Sequence, residues 1–374
     1  MTTQFEHILQ IRRDEFWLED SDYKNIDNPQ DKRLKRLIDT LAYDLNTKET
    51  HFLLELIQNA EDNDYENGVK PKLTIKLLKE DPTETPGSDG ALLIINNEKG
   101  FNKENISSIC DVGKSSKKNK KTSGYIGEKG IGFKSVFKIT SCPYIFSGGY
   151  QIRLPKEVED SEIGYIVPEW VARIPENLDI NQTNILLPLD VIDYNYQAIE
   201  KMLRDFSPMT FLFLHRLTEL EIIIDEYYEL SITKEYDEKE KLLSLMLIGN
   251  DNEKRIEKID QYLYYDKEYA VPEDINESER HGVEITNLSI AFPYSDESVT
   301  GCVYAYLPVY NGSGLPFNIN ADFLLTSSRD TVHEDKRWNC WLRDSIVELF
   351  YDAFLFYNNI PKYESIIFKY IPLE

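Results

Sequence analysis

The segment Leu53-Leu-Glu55-Leu-Ile-Gln-Asn59-Ala-Glu-Asp62 decides how the rest of the chain is read. At 3.6 residues per turn, Glu55, Asn59 and Asp62 fall within an arc of roughly 60°. Leu53, Leu56, Ile57 and Ala60 occupy the opposite face. A helix patterned this way buries its apolar side on a sheet and turns an acid, an amide and a second acid toward a cleft. The same pattern also describes a plain amphipathic helix with a solvated polar face, so the flanking sequence has to separate the two.

Upstream, Leu34, Leu37, Ile38, Leu41 and Ala42 recur at helical spacing over 31–45, and residues 1–30 are charged and aromatic without clear periodicity. Downstream, apolar runs at 73–78 and 91–96 predict two strands, and the Pro/Gly-containing stretch 81–90 between them reads as a hairpin connection. Residues 102–112 read as a helix, 113–132 as a lysine-rich loop, and 133–139 as a helix that this loop enters. Further strands are predicted at 144–146, 151–154, 165–167 and 184–189. Past residue 195 the pattern restarts: a helix at 197–206, a strand at 219–224, a strongly acidic middle, strands at 285–292 and 302–309, and a helix at 338–357. The expected fold class is α+β, with helices layered on a mixed, mostly antiparallel sheet.

Bulk properties bound the function. The 374 residues are 41% hydrophobic and 12% aromatic, enough for a substantial core, and the formal net charge of −24 argues against nucleic-acid partners. Acidic runs at 157–162 and from Glu235 onward read as solvated faces. Cys110, Cys142, Cys302 and Cys340 form no CxxC pair and read as reduced thiols. The first residues lack the apolar core of a signal peptide, and no apolar run approaches the roughly 20 residues that span a bilayer. The expected location is therefore cytoplasmic, or nuclear in a eukaryote, with no membrane partner.

Gly124-Tyr-Ile-Gly127-Glu-Lys-Gly130-Ile-Gly132-Phe-Lys-Ser135 supplies a second signal. Glycines at this density let the backbone approach an anion, and a helix that starts there presents free N–H groups and its positive dipole end. Residues 114–134 hold seven lysines, Lys114 among them, against the single acid Glu128. Such a basic island in an acidic chain suits an anion-binding loop; a solvated basic loop is the alternative.

Taken in order, the acid-bearing helix, the strand ending Ile94-Ile-Asn96-Asn-Glu-Lys-Gly100-Phe101, the lysine loop, the GxxGxG turn and Asn181-Gln-Thr183-Asn-Ile-Leu-Leu-Pro-Leu resemble the nucleotide-binding motifs of the GHKL ATPases. That family includes gyrase, the large heat-shock chaperone, histidine kinases and MutL. The wording ELIQNAEDN, NNEKGF, GYIGEKGIGFKSVF, YIVPEWV and LPFNINADFLLTSSRD is similar to the sacsin and NO VEIN branch, so the likeness covers nearly the whole chain.

The resemblance implies a Bergerat-type ATP-binding sandwich at 31–195, preceded by an extension at 1–30 and followed by a smaller, transducer-like α+β domain at 196–374. It implies ATP and Mg²⁺ as ligands, Glu55 as the general base and Asn59 as the magnesium ligand. It further implies Asp62, Gly100, Lys114, Gly127, Gly130, Gly132 and Thr183 as nucleotide contacts. Arg329 corresponds to an arginine that reaches the terminal phosphate from the second domain. Where the family has the aspartate that reads adenine, this chain has Asn96, and an amide can accept or donate. The expected activity is slow Mg²⁺-dependent ATP hydrolysis driving a conformational or chaperone-like switch, with a protein client or a second copy of the chain as partner. A nucleotide-holding scaffold without turnover is the alternative, and a DNA-acting machine is disfavoured by charge.

Overall fold

In a computed structural model of the chain, the residues described are 2–18, 32–36, 38, 49–111, 132–158, 163–275, 277–295, 300–310, 313–326, 329 and 331–371. The architecture is α+β, with several helices on one large sheet. Helix α1 (Thr3–Asp14) comes first, capped by the Thr2 hydroxyl, which accepts from the Phe5 N–H at 3.3 Å. It lies inside the stretch whose sequence shows no periodicity. Only Ile8 and Ile11 anchor it in the core. The rest of its contacts are polar or aromatic: Arg12 donates to the Pro168 carbonyl at 3.1 Å, and Phe5 meets Trp170 edge-on. Two buried positions one turn apart are too few to register as a pattern.

Residues 32–36 are helical. Helix α2 (His51–Glu61) follows, then strands β1 (Lys72–Leu78) and β2 (Ala91–Asn96), paired antiparallel from Leu73↔Asn96 to Leu78↔Ala91. Between them the Asp81 carboxylate accepts from the N–H groups of Thr83 and Thr85, both at 2.9 Å, which closes the hairpin connection. Helix α3 (Lys103–Ile109) carries a capping box at Asn102. A 3-10 helix at Gly132–Lys138 stands where the sequence suggests an α-helix.

Strands β3 (Tyr144–Ser147), β4 (Tyr150–Arg153), β5 (Glu169–Trp170) and β6 (Thr183–Pro188) complete the first half. No strand forms at 165–167: Tyr165 takes φ of 64°, which breaks extended backbone, and the edge strand β5 forms just after it.

Helix α4 (Tyr196–Arg204) leads into β7 (Glu219–Ile224), β8 (Tyr228–Asp237), β9 (Leu242–Asp251) and β10 (Lys254–Ala270). The acidic middle of the sequence is therefore strand. In β8, Tyr228, Leu230 and Ile232 are buried, and in β9 Leu243, Leu245 and Leu247, with charged or polar side chains between several of them. Strand β11 (Ile285–Pro293) follows. The apolar run at 302–309 divides into β12 (Val303–Ala305) and β13 (Leu307–Tyr310) at Tyr306, which has φ of 66°. Strand β14 (Asn318–Ala321), helix α5 (Arg337–Asn358), a short helix at Glu364–Ile367 and a 3-10 turn at Phe368–Tyr370 complete the second half.

All these strands belong to one 14-stranded sheet in the order β13-β12-β14-β11-β10-β9-β8-β7-β1-β2-β6-β3-β4-β5. Its pairs are antiparallel except β1–β7 and β12–β14. The boundary expected near residue 195 falls inside this sheet. Leu73, Ile75 and Leu77 share a core with Leu220, Ile222 and Ile224 from beyond it. A second core packs α5, through Trp338, Leu342, Leu349 and Ala353, on β11 and β14.

Candidate functional site

Helix α2 is covered on both sides. Phe52, Leu53, Leu56, Ile57 and Ala60 enter the core, as their spacing predicts, but Glu55, Gln58, Glu61 and Asp62 are also buried. A solvated polar face would not be. Four polar side chains removed from water need partners, because an unmet buried polar group costs about 1–3 kcal/mol.

Glu55 is 6% exposed, and its partner comes from the far end of the chain: Arg329 Nη1 lies 3.0 Å from its Oε1. His51, one turn earlier, stands 3.9 Å from the same oxygen. The other carboxylate oxygen faces Gly132, where an added Cβ would sit 2.0 Å from Oε2. Glycine at 132 is thus the clearance that admits the Glu55 carboxylate. Asn59 is half-buried, and its side chain has no hydrogen bond among the described residues. Asp62 caps the helix, its N–H donating to the Gln58 carbonyl at 3.0 Å.

Arg329 is presented by a tight reversal. Leu325 bridges Val332, the Thr326 N–H donates to Thr331 O at 3.0 Å, and the Arg329 N–H donates to Thr326 O at 2.9 Å. Arg329 itself takes φ of 56°. The buried Asn339 amide on α5 braces the reversal, accepting from Leu324 N–H and donating to Leu324 O, both at 2.8 Å, and donating to His333 O at 2.7 Å. His51, Leu54, Glu55, Gln58, Leu307, Pro308, Val309, Leu325 and Arg329 line one cleft between α2 and β13.

The last residue of α2 ties the helix to the second half again. The Glu61 carboxylate accepts from the backbone N–H groups of His215 at 2.6 Å, Arg216 at 2.8 Å and Leu217 at 2.8 Å. Burial raises its pKa, while these three bonds and nearby Lys234 pull it back down. Burial in turn lowers Lys234 to about 8 and His215 to about 4. In Glu61→Gln the amide N–H₂ would face one of these N–H donors. A stability loss of about 1–3 kcal/mol is expected, read as a lower denaturant midpoint with unchanged slope. A midpoint equal to wild type would mean that the carboxylate bonds contribute nothing.

Apart from that cleft, β2 and β6 place Asn96 opposite Thr183. The Asn96 amide is committed within the protein: its Oδ1 accepts from Asn63 Nδ2 at 3.1 Å, and its Nδ2 donates to Tyr65 OH and to Lys72 O, each at 2.9 Å. Asn97 is similarly used, accepting from Lys72 N–H at 2.8 Å and donating to Lys70 O at 2.9 Å. The acid beside Thr183 is Glu98, which is 8% exposed and accepts the Thr183 hydroxyl; the Ser147 hydroxyl joins them and accepts from Phe101 N–H at 2.8 Å. Gly100 has φ of 90°, and a Cβ there would come within 3.1 Å of the Gly148 backbone, so the turn after Glu98 crosses the β3–β4 hairpin closely.

Lys134, counted above with the basic island, lies inside the protein. It is 3% exposed, and its amine donates to the carbonyls of Ile109, at the end of α3, and Tyr165. Burial lowers its pKa to about 8. Its charge serves a helix C-terminus, where cations are favoured. Ser135, next to it, is 1% exposed, and its hydroxyl has no partner among the described residues. Lys114, Gly127 and Gly130 lie outside the described residues.

Residues 28–159 match the family model described as the Sacsin domain. The chain is also 32% identical over 384 residues to Protein NO VEIN of Arabidopsis thaliana; the alignment covers 94% of this chain and 13% of that protein. These similarities support the sacsin/NO VEIN-like branch. No helix among the described residues is long and apolar enough to cross a membrane.

Proposed function

From its similarity to the sacsin/NO VEIN-like branch, we propose that this chain is a Mg²⁺-dependent nucleotide-binding module of GHKL type that hydrolyses ATP slowly and converts it into a change of contact between its two halves. The observation that carries this reading is the buried carboxylate of Glu55 on α2, met at 3.0 Å by Arg329 from the second half. A carboxylate there can accept a proton from an attacking water. A guanidinium beside it can offset charge that builds up on a transferred phosphoryl group.

The residues present fit the ligands this implies. Magnesium bound with a nucleotide takes most of its oxygens from phosphate and water and needs few from protein, which Asn59, half-buried one turn beyond Glu55, can supply. When bound, the ion would offset the negative charge of the phosphates. At the base end, Glu98 accepts the Thr183 hydroxyl, whereas the resemblance puts the adenine-reading group at Asn96. We place adenine recognition on Glu98, because the Asn96 amide is already bonded to Asn63, Tyr65 and Lys72. The Glu55–Arg329 ion pair favours one rival, a nucleotide-holding scaffold in which the base never leaves its arginine.

Calorimetry with ATP, GTP and a non-hydrolysable ATP analogue, with and without Mg²⁺, tests the reading in the wild type and in Asn59→Ala. Mg²⁺-dependent ATP binding that Asn59→Ala loses is the expected result. No nucleotide binding by the wild-type chain would end it. Binding without turnover would select the scaffold.

A further inference from the structure

We propose that Gln58 is a positioning residue for Arg329, a neutral second acceptor that keeps the arginine docked on α2 when Glu55 is released from it. The proposal rests on the reading of Glu55 and Arg329 as the catalytic pair. Arg329 Nη1 donates to two side chains on successive turns of one helix, the Glu55 carboxylate at 3.0 Å and the Gln58 amide oxygen. Gln58 is 1% exposed, and its Nε2 has no partner among the described residues. An amide so buried, with its donor side unused, acts through its oxygen. That oxygen binds a residue 271 positions away in sequence.

The difference in charge between the two acceptors gives them different tasks. A terminal phosphate entering the cleft competes with the Glu55 carboxylate for the cation, anion against anion. It does not compete with a neutral amide in the same way, and the amide does not repel it. The guanidinium can therefore turn from Glu55 toward the phosphate while its bond to Gln58 holds it at the helix. Glu55 is then unneutralised and free to accept a proton, and Arg329 has not swung out to solvent. The Asn339 bonds to Leu324 and His333, the Leu325–Val332 bridge and the positive φ of Arg329 fix the backbone from which the side chain reaches. In this arrangement Arg329 stays docked on α2 through the cycle, and the contact between the halves changes where the guanidinium exchanges Glu55 for the phosphate.

Two variants of the full chain separate the parts of this argument. Gln58→Met keeps the side-chain bulk and removes the acceptor; Gln58→Glu keeps an acceptor and adds charge. A hydrogen bond to a charged group shifts an equilibrium by about 10- to 150-fold. Without nucleotide, backbone amides of 318–326 should exchange at least about tenfold faster in Gln58→Met and in Arg329→Met. The double variant should exchange no faster than Arg329→Met alone, since that change already removes the bond to Gln58. Gln58→Glu should restore the protection. In turnover, Gln58→Met should lower kcat with the KM for ATP little changed, whereas Gln58→Glu should raise KM, because a second carboxylate faces the incoming phosphate. A purely structural glutamine would not give that split. Unchanged exchange in Gln58→Met overturns the proposal, and so does additive loss in the double variant. If exchange responds as expected and the wild type hydrolyses nothing, the docking role stands and the ATPase reading falls. If the wild type hydrolyses ATP and Gln58→Met matches it in exchange and kcat, the ATPase reading stands and the role of Gln58 falls.

Discussion

Glu55→Ala is expected to keep nucleotide binding and to lose hydrolysis by about 10²- to 10⁴-fold, the contribution of a positioned acid–base group. Gly132→Ala tests the same carboxylate without touching it. Its β-carbon would lie 2.0 Å from Glu55 Oε2, far inside contact distance, so the carboxylate has to swing aside. The obstructed atom is the end of a flexible side chain rather than backbone, so the fold should survive. Turnover should then fall toward that of Glu55→Ala. The double variant Glu55→Ala/Gly132→Ala should be no slower than Glu55→Ala alone, since both changes act through one group. Steady-state phosphate release, with binding followed by calorimetry, reads all three. Equal hydrolysis by wild type and Glu55→Ala would sink the assignment of the base. Full activity in Gly132→Ala would show that the carboxylate works from a position other than the one seen here.

The second large effect concerns the purine. Glu98→Gln is expected to weaken ATP relative to GTP by roughly 5- to 150-fold, because an amide N–H₂ facing the adenine amino group opposes two donors at a cost of about 1–3 kcal/mol. Asn96→Asp should behave differently. Its new oxygen would face the Lys72 carbonyl, which now accepts from Asn96 Nδ2 at 2.9 Å, so acceptor would oppose acceptor inside the protein. A stability loss of about 1–3 kcal/mol with an unchanged ATP/GTP ratio is expected. Competition binding with a fluorescent nucleotide gives the ratio, and chemical denaturation gives the stability. The opposite result, a shifted ratio for Asn96→Asp and none for Glu98→Gln, would return base recognition to Asn96.

How much of this was legible beforehand follows from the range of the interactions. Strands β1, β2, β6 and β7 are short apolar runs bounded by turn residues, so their local sequence suffices. Helix α2 shows its core face at Leu53, Leu56, Ile57 and Ala60 for the same reason. Strands β8 to β10 were hidden because the buried Leu230, Ile232, Leu243 and Leu245 alternate with Glu229, Ser231 and Ser244, and the charged stretch 234–241 between the two sets masked the alternation. At the site, the resemblance singles out Glu55, Asn59, Asp62, Asn96, Gly132, Thr183 and Arg329 without saying which meet. Gln58 and Glu98 were missed because their signals are contacts: Gln58 reaches Arg329, and Glu98 meets Thr183 across 85 residues. A close look at ELIQNAED and NNEKG could have marked both as polar residues inside motifs, but spacing alone assigns them no partner.

The parallel pairing of β1 with β7 has a practical consequence for anyone dividing the gene. Six consecutive registers, from Lys72↔Glu219 to Leu77↔Ile224, join the halves through backbone hydrogen bonds. A fragment ending near residue 195 would strip β1 of that neighbour and leave a bare strand edge carrying Leu73, Ile75 and Leu77. Unprotected apolar edges recruit strands from other molecules. Expression of the first half alone would thus yield aggregates whose failure to bind nucleotide says nothing about the site, and useful truncations must keep β7 together with the strands that continue the sheet beyond it.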